Sequence, residues 1–100
     1  MIAYANKNYA IYKTSKGYVV HNTDYSFKDK HTHISNYNIA KQIIRNLLHR
    51  TIPRTHNRYL LISHIRLSDN DTYSRDIERV MQQRAERQMY YNVNKGVVRR

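Results

Sequence analysis

The spacing with the clearest chemical potential is His31-x-His33, where two of the six histidines stand two positions apart. In an extended strand such residues point to the same side, so both imidazoles could reach one metal ion or one phosphate. A tetrahedral metal site needs further ligands, for which His21 and Asp29 are candidates. Because no recognised ligand spacing occurs and cysteine is absent, we predict no metal and no other cofactor.

The same histidines, with the cations that follow them, suggest a second chemistry, that of a ribonuclease. Such an enzyme needs a base, an acid and a cation around one phosphate. Residues of suitable type are His31, His33, Arg45, Arg54, His56 and Arg58. No motif ties them to a nuclease, so a toxin-like ribonuclease remains an alternative and no catalytic residue is assigned.

A third pattern predicts a binding surface. Lys41, Arg45 and His49 are four positions apart and would form one ridge on a helix, and an arginine- and histidine-rich turn follows over residues 49–58. Such cations bind phosphates without reading base sequence. The predicted binding residues are Lys41, Arg45, His49, Arg50, Arg54, His56 and Arg58, with His31, His33, Lys13 and Lys16 as secondary candidates.

Tyrosines interleaved with lysines in the first thirty residues are typical of surfaces on which single-stranded bases stack. These residues are Tyr4, Tyr9, Tyr12, Tyr18 and Tyr25, with Lys7, Lys13, Lys16, Lys28 and Lys30. Two alternatives remain open. Some of the rings would pack in the core while the lysines protect sheet edges, or a homo-oligomer would bury them.

The charge balance defines the class of partner. The formal net charge is +11 over 100 residues, which favours polyanions. Residues 1–68 carry eleven Lys and Arg against two acids, whereas residues 69–100 carry seven against five. We therefore expect RNA, DNA or a nucleoprotein as partner, with an acidic protein surface as an open alternative. No apolar run approaches the roughly 20 residues of a membrane span and no signal peptide is evident, so we expect a cytoplasmic protein without a membrane partner.

The first elements predicted from the pattern are strands. Residues 8–22 resemble a β-hairpin, because two runs rich in β-branched and aromatic residues flank a turn that contains Gly17. Tyr25 and Phe27 alternate with polar residues and would form a third short strand. His31 to His33 would then lead into a helix.

Three helical segments are predicted after the hairpin. The helix over residues 37–49 has apolar residues at the 3.6-residue period, a cap at Ser35 or Asn36, and an end imposed by Pro53. Residues 57–67 fit either a strand or a helix capped by Asn57 or Thr55, with helix favoured. A helix over residues 72–88 would be capped by Asp69 or Asp71.

These elements predict a single α+β domain, with an N-terminal β-hairpin or small antiparallel sheet packed on two to three α-helices. The domain would span residues 1–100. We expect residues 1–7 and 90–100 to be peripheral or less ordered, although residues 93–98 contain valines that would also suit a strand.

The order of hairpin, His31-Thr-His33-Ile34, helix, Ile52-Pro53 and Tyr59-Leu-Leu-Ile62 resembles small uncharacterised proteins from phages and mobile elements of Gram-positive bacteria. Proteins of this size on such elements include anti-CRISPR inhibitors. The resemblance implies a noncatalytic inhibitor that engages a nucleic acid or a nucleoprotein such as a CRISPR-Cas effector. It carries over no catalytic residues.

Overall fold

A computed structural model describes the backbone of residues 1–98 and the side chains of residues 1–89. An antiparallel sheet is followed by helices, which confirms the predicted α+β class. The elements are β1 (Ile2–Asn6), β2 (Tyr9–Thr14), β3 (Gly17–Asn22), β4 (His31–Ile34), α1 (Tyr37–His49), α2 (Arg58–Leu67) and α3 (Asp71–Val98).

The sheet is a meander in the order β1-β2-β3-β4. The predicted hairpin is formed by β2 and β3, which pair from Tyr9↔Asn22 to Thr14↔Gly17. The prediction of a strand at Tyr25 and Phe27 was wrong, because these residues lie in the loop between β3 and β4. Residues 31–34 supply the last strand instead of leading into a helix, since Thr32 and Ile34 alternate with the histidines and are buried.

Asparagine side chains cap the helices. Asn36 accepts from the Ile39 N–H and Asn57 accepts from the Tyr59 N–H, as predicted for one of each candidate pair. The predicted caps of α3 were wrong, because Asn70 accepts from the Tyr73 N–H at 2.8 Å. A carboxamide at position 70 reaches the first turn, whereas Asp71 is already the first helical residue.

The helix α1 ends at His49 as predicted, but the residue that terminates it is not the predicted one. Arg50, not Pro53, terminates the helix by adopting the left-handed conformation at φ 54°. Its N–H turns back to the carbonyls of Asn46 and Leu47, which satisfies the last turn as a glycine would. Three residues therefore separate the end of the helix from the proline, and they belong to the loop that reaches α2.

The core lies on one face of the sheet. Ile11 and Val20 pair across β2 and β3 and are fully buried against α1, which contributes Ile43 and Ile44. Burying side chains of this size contributes about 1.5–3 kcal/mol each. The opposite face of the sheet, called the outer face below, carries the side chains that alternate with these residues.

Buried hydrogen bonds from polar side chains of the sheet hold α2 in place. Thr32 of β4 pairs with Ser63 at 2.8 Å, and the Asn22 amide donates to the Leu67 carbonyl at 3.0 Å. The preferred helical interpretation of residues 57–67 is therefore confirmed. The helix α2 is apolar around most of its circumference, and these polar contacts fix its position on the sheet.

The first turns of α3 pack against α2 through Tyr73 and Ile77, which are buried. The backbone is helical to Val98, so the strand considered for residues 93–98 does not form. Residues 99 and 100 lie outside the described residues. In the described part of the chain no helix combines the length and the apolar character needed to cross a membrane.

Replacing Gly17 tests the geometry of the hairpin. Gly17 has φ +141°, and an added Cβ would lie 3.1 Å from the Ile34 carbonyl oxygen and 3.1 Å from the Ser35 Cα. Both contacts are with backbone that cannot move freely. We expect Gly17→Ala to lower the free energy of unfolding by about 1–3 kcal/mol, measured by chemical denaturation. Ser15→Ala in the same exposed turn is the control, and equal stability of the two variants would contradict the argument.

Candidate nucleic-acid interface

The predicted helical ridge of Lys41, Arg45 and His49 (the basic ridge) lies on α1, with Arg45 and His49 exposed to solvent. Lys41 is half-buried because its ammonium lies over the rings of Tyr4 and Tyr37, 5.1 and 5.5 Å from their centroids. This cation–π contact fixes the first member of the basic ridge. Arg45 and His49 remain exposed to solvent.

The loop between α1 and α2, residues 50–57 (the basic loop), is held by two hydrogen bonds from side chains of α3. The Tyr73 hydroxyl donates to the Thr51 carbonyl at 2.7 Å, and the Arg84 guanidinium donates to the Thr55 carbonyl. Arg54 and His56 nevertheless point outward and are exposed. Their backbone is thus held while their side chains remain available.

The flanking arginines have acidic neighbours. Arg50 lines a polar cavity of about 420 Å³ together with Lys7, Asp24 and Asp69. Arg58, at the start of α2, lines a shallower depression with Glu78 of α3. Because acids share these surroundings, Arg50 and Arg58 contribute less uncompensated charge than Arg45 and Arg54.

The polar cavity beside Arg50 has two neutral tyrosines among its lining residues. Burial raises the pKa of Tyr9 to about 12, and the nearby charge of Asp69 adds to that increase. Burial likewise raises the pKa of Tyr73. Both hydroxyls stay protonated at neutral pH, so the charge of this cavity comes from its lysine, arginine and aspartates alone.

The secondary candidates occupy a different part of the molecule. His31 and His33 lie on the outer face of the sheet, where their rings meet edge to face with centroids 5.3 Å apart. Lys13 and Lys16 are exposed near the turn of the β2–β3 hairpin. Lys16 and His33 line one cavity, of about 470 Å³, at the edge of the sheet.

A cluster of rings on the outer face was not recognised in the sequence. Phe27 folds back from its loop and stacks on His31, with centroids 5.1 Å apart and planes 12° apart. Tyr12 and His21 contact the same phenyl ring. The only indication of this cluster in the sequence was the His31-x-His33 spacing. The loop that brings Phe27 over the histidines has no strand pattern, so the position of Phe27 could not be predicted.

The tyrosines do not form one stacking surface. Tyr9 is buried in the core, and Tyr4 and Tyr18 pack against it from the same face of the sheet. Tyr12 lies on the outer face, and Tyr25 lies in the β3–β4 loop beneath the Lys30 ammonium. The interpretation in which part of the rings pack in the core describes this arrangement.

In the described part of the chain, the candidate ligands His21 and Asp29 do not complete a metal site with the histidine pair. The His21 Nε2–H donates to the Tyr25 carbonyl at 3.0 Å, and Asp29 accepts from the Ser26 hydroxyl at 2.6 Å. Among the described residues, no three His, Cys, Asp or Glu side chains are grouped so that they could hold a metal ion.

The residues proposed for a ribonuclease are divided between the two sides of the sheet. His31 and His33 lie on the outer face, while Arg45 lies on α1, which packs on the other face. A base, an acid and a cation must surround one phosphate. The described residues of this set therefore do not form a single site.

A groove between α1, the basic loop and α2 was also missed. Its deepest polar side chain is His64, which donates from Nδ1 to the Leu60 carbonyl at 2.7 Å and accepts from the Asn46 amide at 3.2 Å. Burial lowers the pKa of His64, so the ring is neutral at physiological pH. The available signal was the wide apolar stripe of α1, whose members recur at the helical period; they are Ile39, Ala40, Ile43, Ile44, Leu47 and Leu48.

Comparisons with known proteins returned no matching family model, no matching curated protein and no matching solved structure.

The buried His64 predicts a pH dependence of stability. Because its folded pKa lies below the ordinary value of 6.5, the unfolded chain binds a proton more readily. The stability that His64 contributes is therefore present above pH 6.5 and is lost as the pH falls toward the folded pKa. We expect the free energy of unfolding to fall between about pH 7 and pH 5, and to fall less in His64→Gln.

Denaturant unfolding at several pH values measures this dependence. The control His49→Gln replaces an exposed imidazole on α1, and we expect it to keep the pH dependence of the parent protein. An equally steep fall in His64→Gln and in the parent protein would show that His64 is not responsible.

Proposed function

We propose that the protein is a noncatalytic binding protein that engages the phosphate backbone of a nucleic acid, either free or within a nucleoprotein. The observation that supports this most is uncompensated positive charge. Among residues 1–89 the one salt bridge joins Arg79 and Asp76 on α3, whereas Arg45 and Arg54 are exposed and unpaired with any carboxylate.

The arrangement of these cations suits backbone contacts better than base readout. A helix that reads bases must enter the major groove and offer polar side chains to base edges. The exposed basic side chains of the basic ridge and the basic loop are arginines and histidines, and they lie on two separate elements rather than along one helix. Such groups neutralise phosphates and release counterions, so binding should be strong at low salt and weak in sequence preference.

The resemblance to mobile-element proteins extends the proposal to inhibition. A small basic protein could occupy the guide RNA or the target DNA of a CRISPR-Cas effector and so prevent target recognition. The same cations would carry this inhibition. An anti-CRISPR role therefore requires that Arg45→Ala/Arg54→Ala lose the inhibition of target cleavage together with nucleic-acid binding.

Salt dependence tests the proposed function directly. We expect affinity for a labelled RNA and for a labelled DNA duplex to fall steeply between about 50 and 200 mM salt, measured by fluorescence anisotropy. Arg45→Ala and Arg54→Ala should each make the slope of log affinity against log salt shallower by about 0.7 for single strands and about 0.9 for duplex.

Arg79→Ala is the matched control, because that arginine already pairs with Asp76, and its slope should equal that of the parent protein. Affinity that does not change with salt would overturn the proposal. Cleavage of the RNA during the same incubation, abolished in His31→Ala or His33→Ala, would favour the ribonuclease alternative.

A further inference from the structure

The groove between α1 and α2 has a largely apolar interior. Its volume is about 400 Å³, within the range of sites that enclose small ligands or inserted side chains. Ile39 stands at its mouth and is 39% exposed, which is unusual for an isoleucine of this helix. The aliphatic walls are formed by Ile39, Ile43, Ile52, Pro53 and Leu60.

The buried polar side chains of the groove, Asn46 and His64, are hydrogen-bonded and uncharged. The Gln42 amide donates to the Asn46 side-chain oxygen at 3.0 Å, and Asn46 in turn contacts the neutral ring of His64. Because these groups already have hydrogen-bond partners, an apolar ligand would not leave them unsatisfied. The interior therefore favours an apolar group.

The rim of the groove is positive. Arg54 lines it and is exposed. On α1, Arg45 and His49 follow Gln42 and Asn46 by three positions, and so lie beside the mouth on the helix surface. No Asp or Glu occurs between Asp29 and Asp69 in the sequence, so the stretch of chain that supplies every lining residue of the groove, residues 39–64, carries no acid of its own.

The groove exists before any partner binds. Thr51 in the basic loop donates its N–H to the Asn46 carbonyl at 2.9 Å and accepts from Tyr73. Arg84 holds Thr55 further along the same loop. A preformed groove avoids the entropic cost of ordering a loop on binding.

We propose that this groove binds a short acidic segment of a protein partner, which inserts one leucine-sized side chain and sets its carboxylates beside Arg54. Among the described residues, no aromatic side chain other than the buried His64 lines the groove, so it lacks the flat surface on which a nucleobase stacks. The inference goes beyond nucleic-acid binding, because it assigns a protein contact to a separate feature of the same side of the molecule.

A pair of synthetic peptides tests the proposal. Both are fluorescently labelled and consist of aspartates and glutamates around one central residue, which is leucine in one peptide and alanine in the other. The leucine peptide should bind about tenfold or more tightly, because the leucine buries more apolar surface in the groove. Anisotropy titration at low salt gives both affinities.

Protein variants locate the contact. Ile39→Ala should weaken the leucine peptide about threefold to tenfold and leave the alanine peptide unchanged. Arg54→Glu should weaken both peptides, whereas Arg66→Glu, the same charge change at an exposed position of α2 that does not line the groove, should weaken them much less. Ile39 is partly exposed, so Ile39→Ala is expected to fold, and its unfolding transition verifies this.

Equal affinity for the two peptides, or the absence of binding to either, would overturn the groove proposal. An Ile39→Ala variant that loses RNA affinity but keeps peptide affinity would overturn it as well, since the groove would then hold a base. Steep salt-dependent RNA binding in the parent protein would still support the proposed function in each case, so the two proposals can fail separately.

Discussion

The position of α2 is the constraint on which the described surfaces depend. This helix is apolar around most of its circumference, and apolar contacts alone would allow it to rotate or slide. Three buried polar pairs remove that freedom: Thr32 with Ser63, Asn22 with the Leu67 carbonyl, and Asn46 with His64. Each would leave unsatisfied buried groups if α2 shifted, at a cost of about 1–3 kcal/mol per group. The register of α2 sets the path of the basic loop and the width of the groove.

Because of the position of α2, the exposed cations and the groove lie on the same side of the molecule but act on a ligand in different ways. Exposed cations such as Arg45 and Arg54 act over several ångströms and attract any polyanion, which gives speed and affinity without selectivity. The groove beside them acts only on contact and depends on the shape of its guest. Under the proposed function, the charge would attract the protein to a nucleoprotein and the groove would bind one part of it by shape.

The sequence predicted the local elements well where the periodic signal was strong. Both ends of α1 agree with the apolar spacing, and residues 58–67 form the favoured helix. It failed where a single backbone conformation decided the outcome. Arg50 adopts positive φ without being glycine, and Asn70 rather than an aspartate caps α3. Neither the conformation of Arg50 nor the cap at Asn70 changes the hydrophobic pattern, so the pattern could not predict them.

What the sequence determined by itself was the net charge, the α+β class, the β2–β3 hairpin and α1, because composition and short-range periodicity encode these directly. Only the tertiary structure decided which face each reactive residue occupies. His31 and Phe27 meet through a loop without periodic pattern, and Ile39 lines one groove with Leu60 and His64 although it belongs to α1 and they belong to α2. Such neighbours are joined by packing across the chain, and packing depends on how the elements dock rather than on the order of their residues.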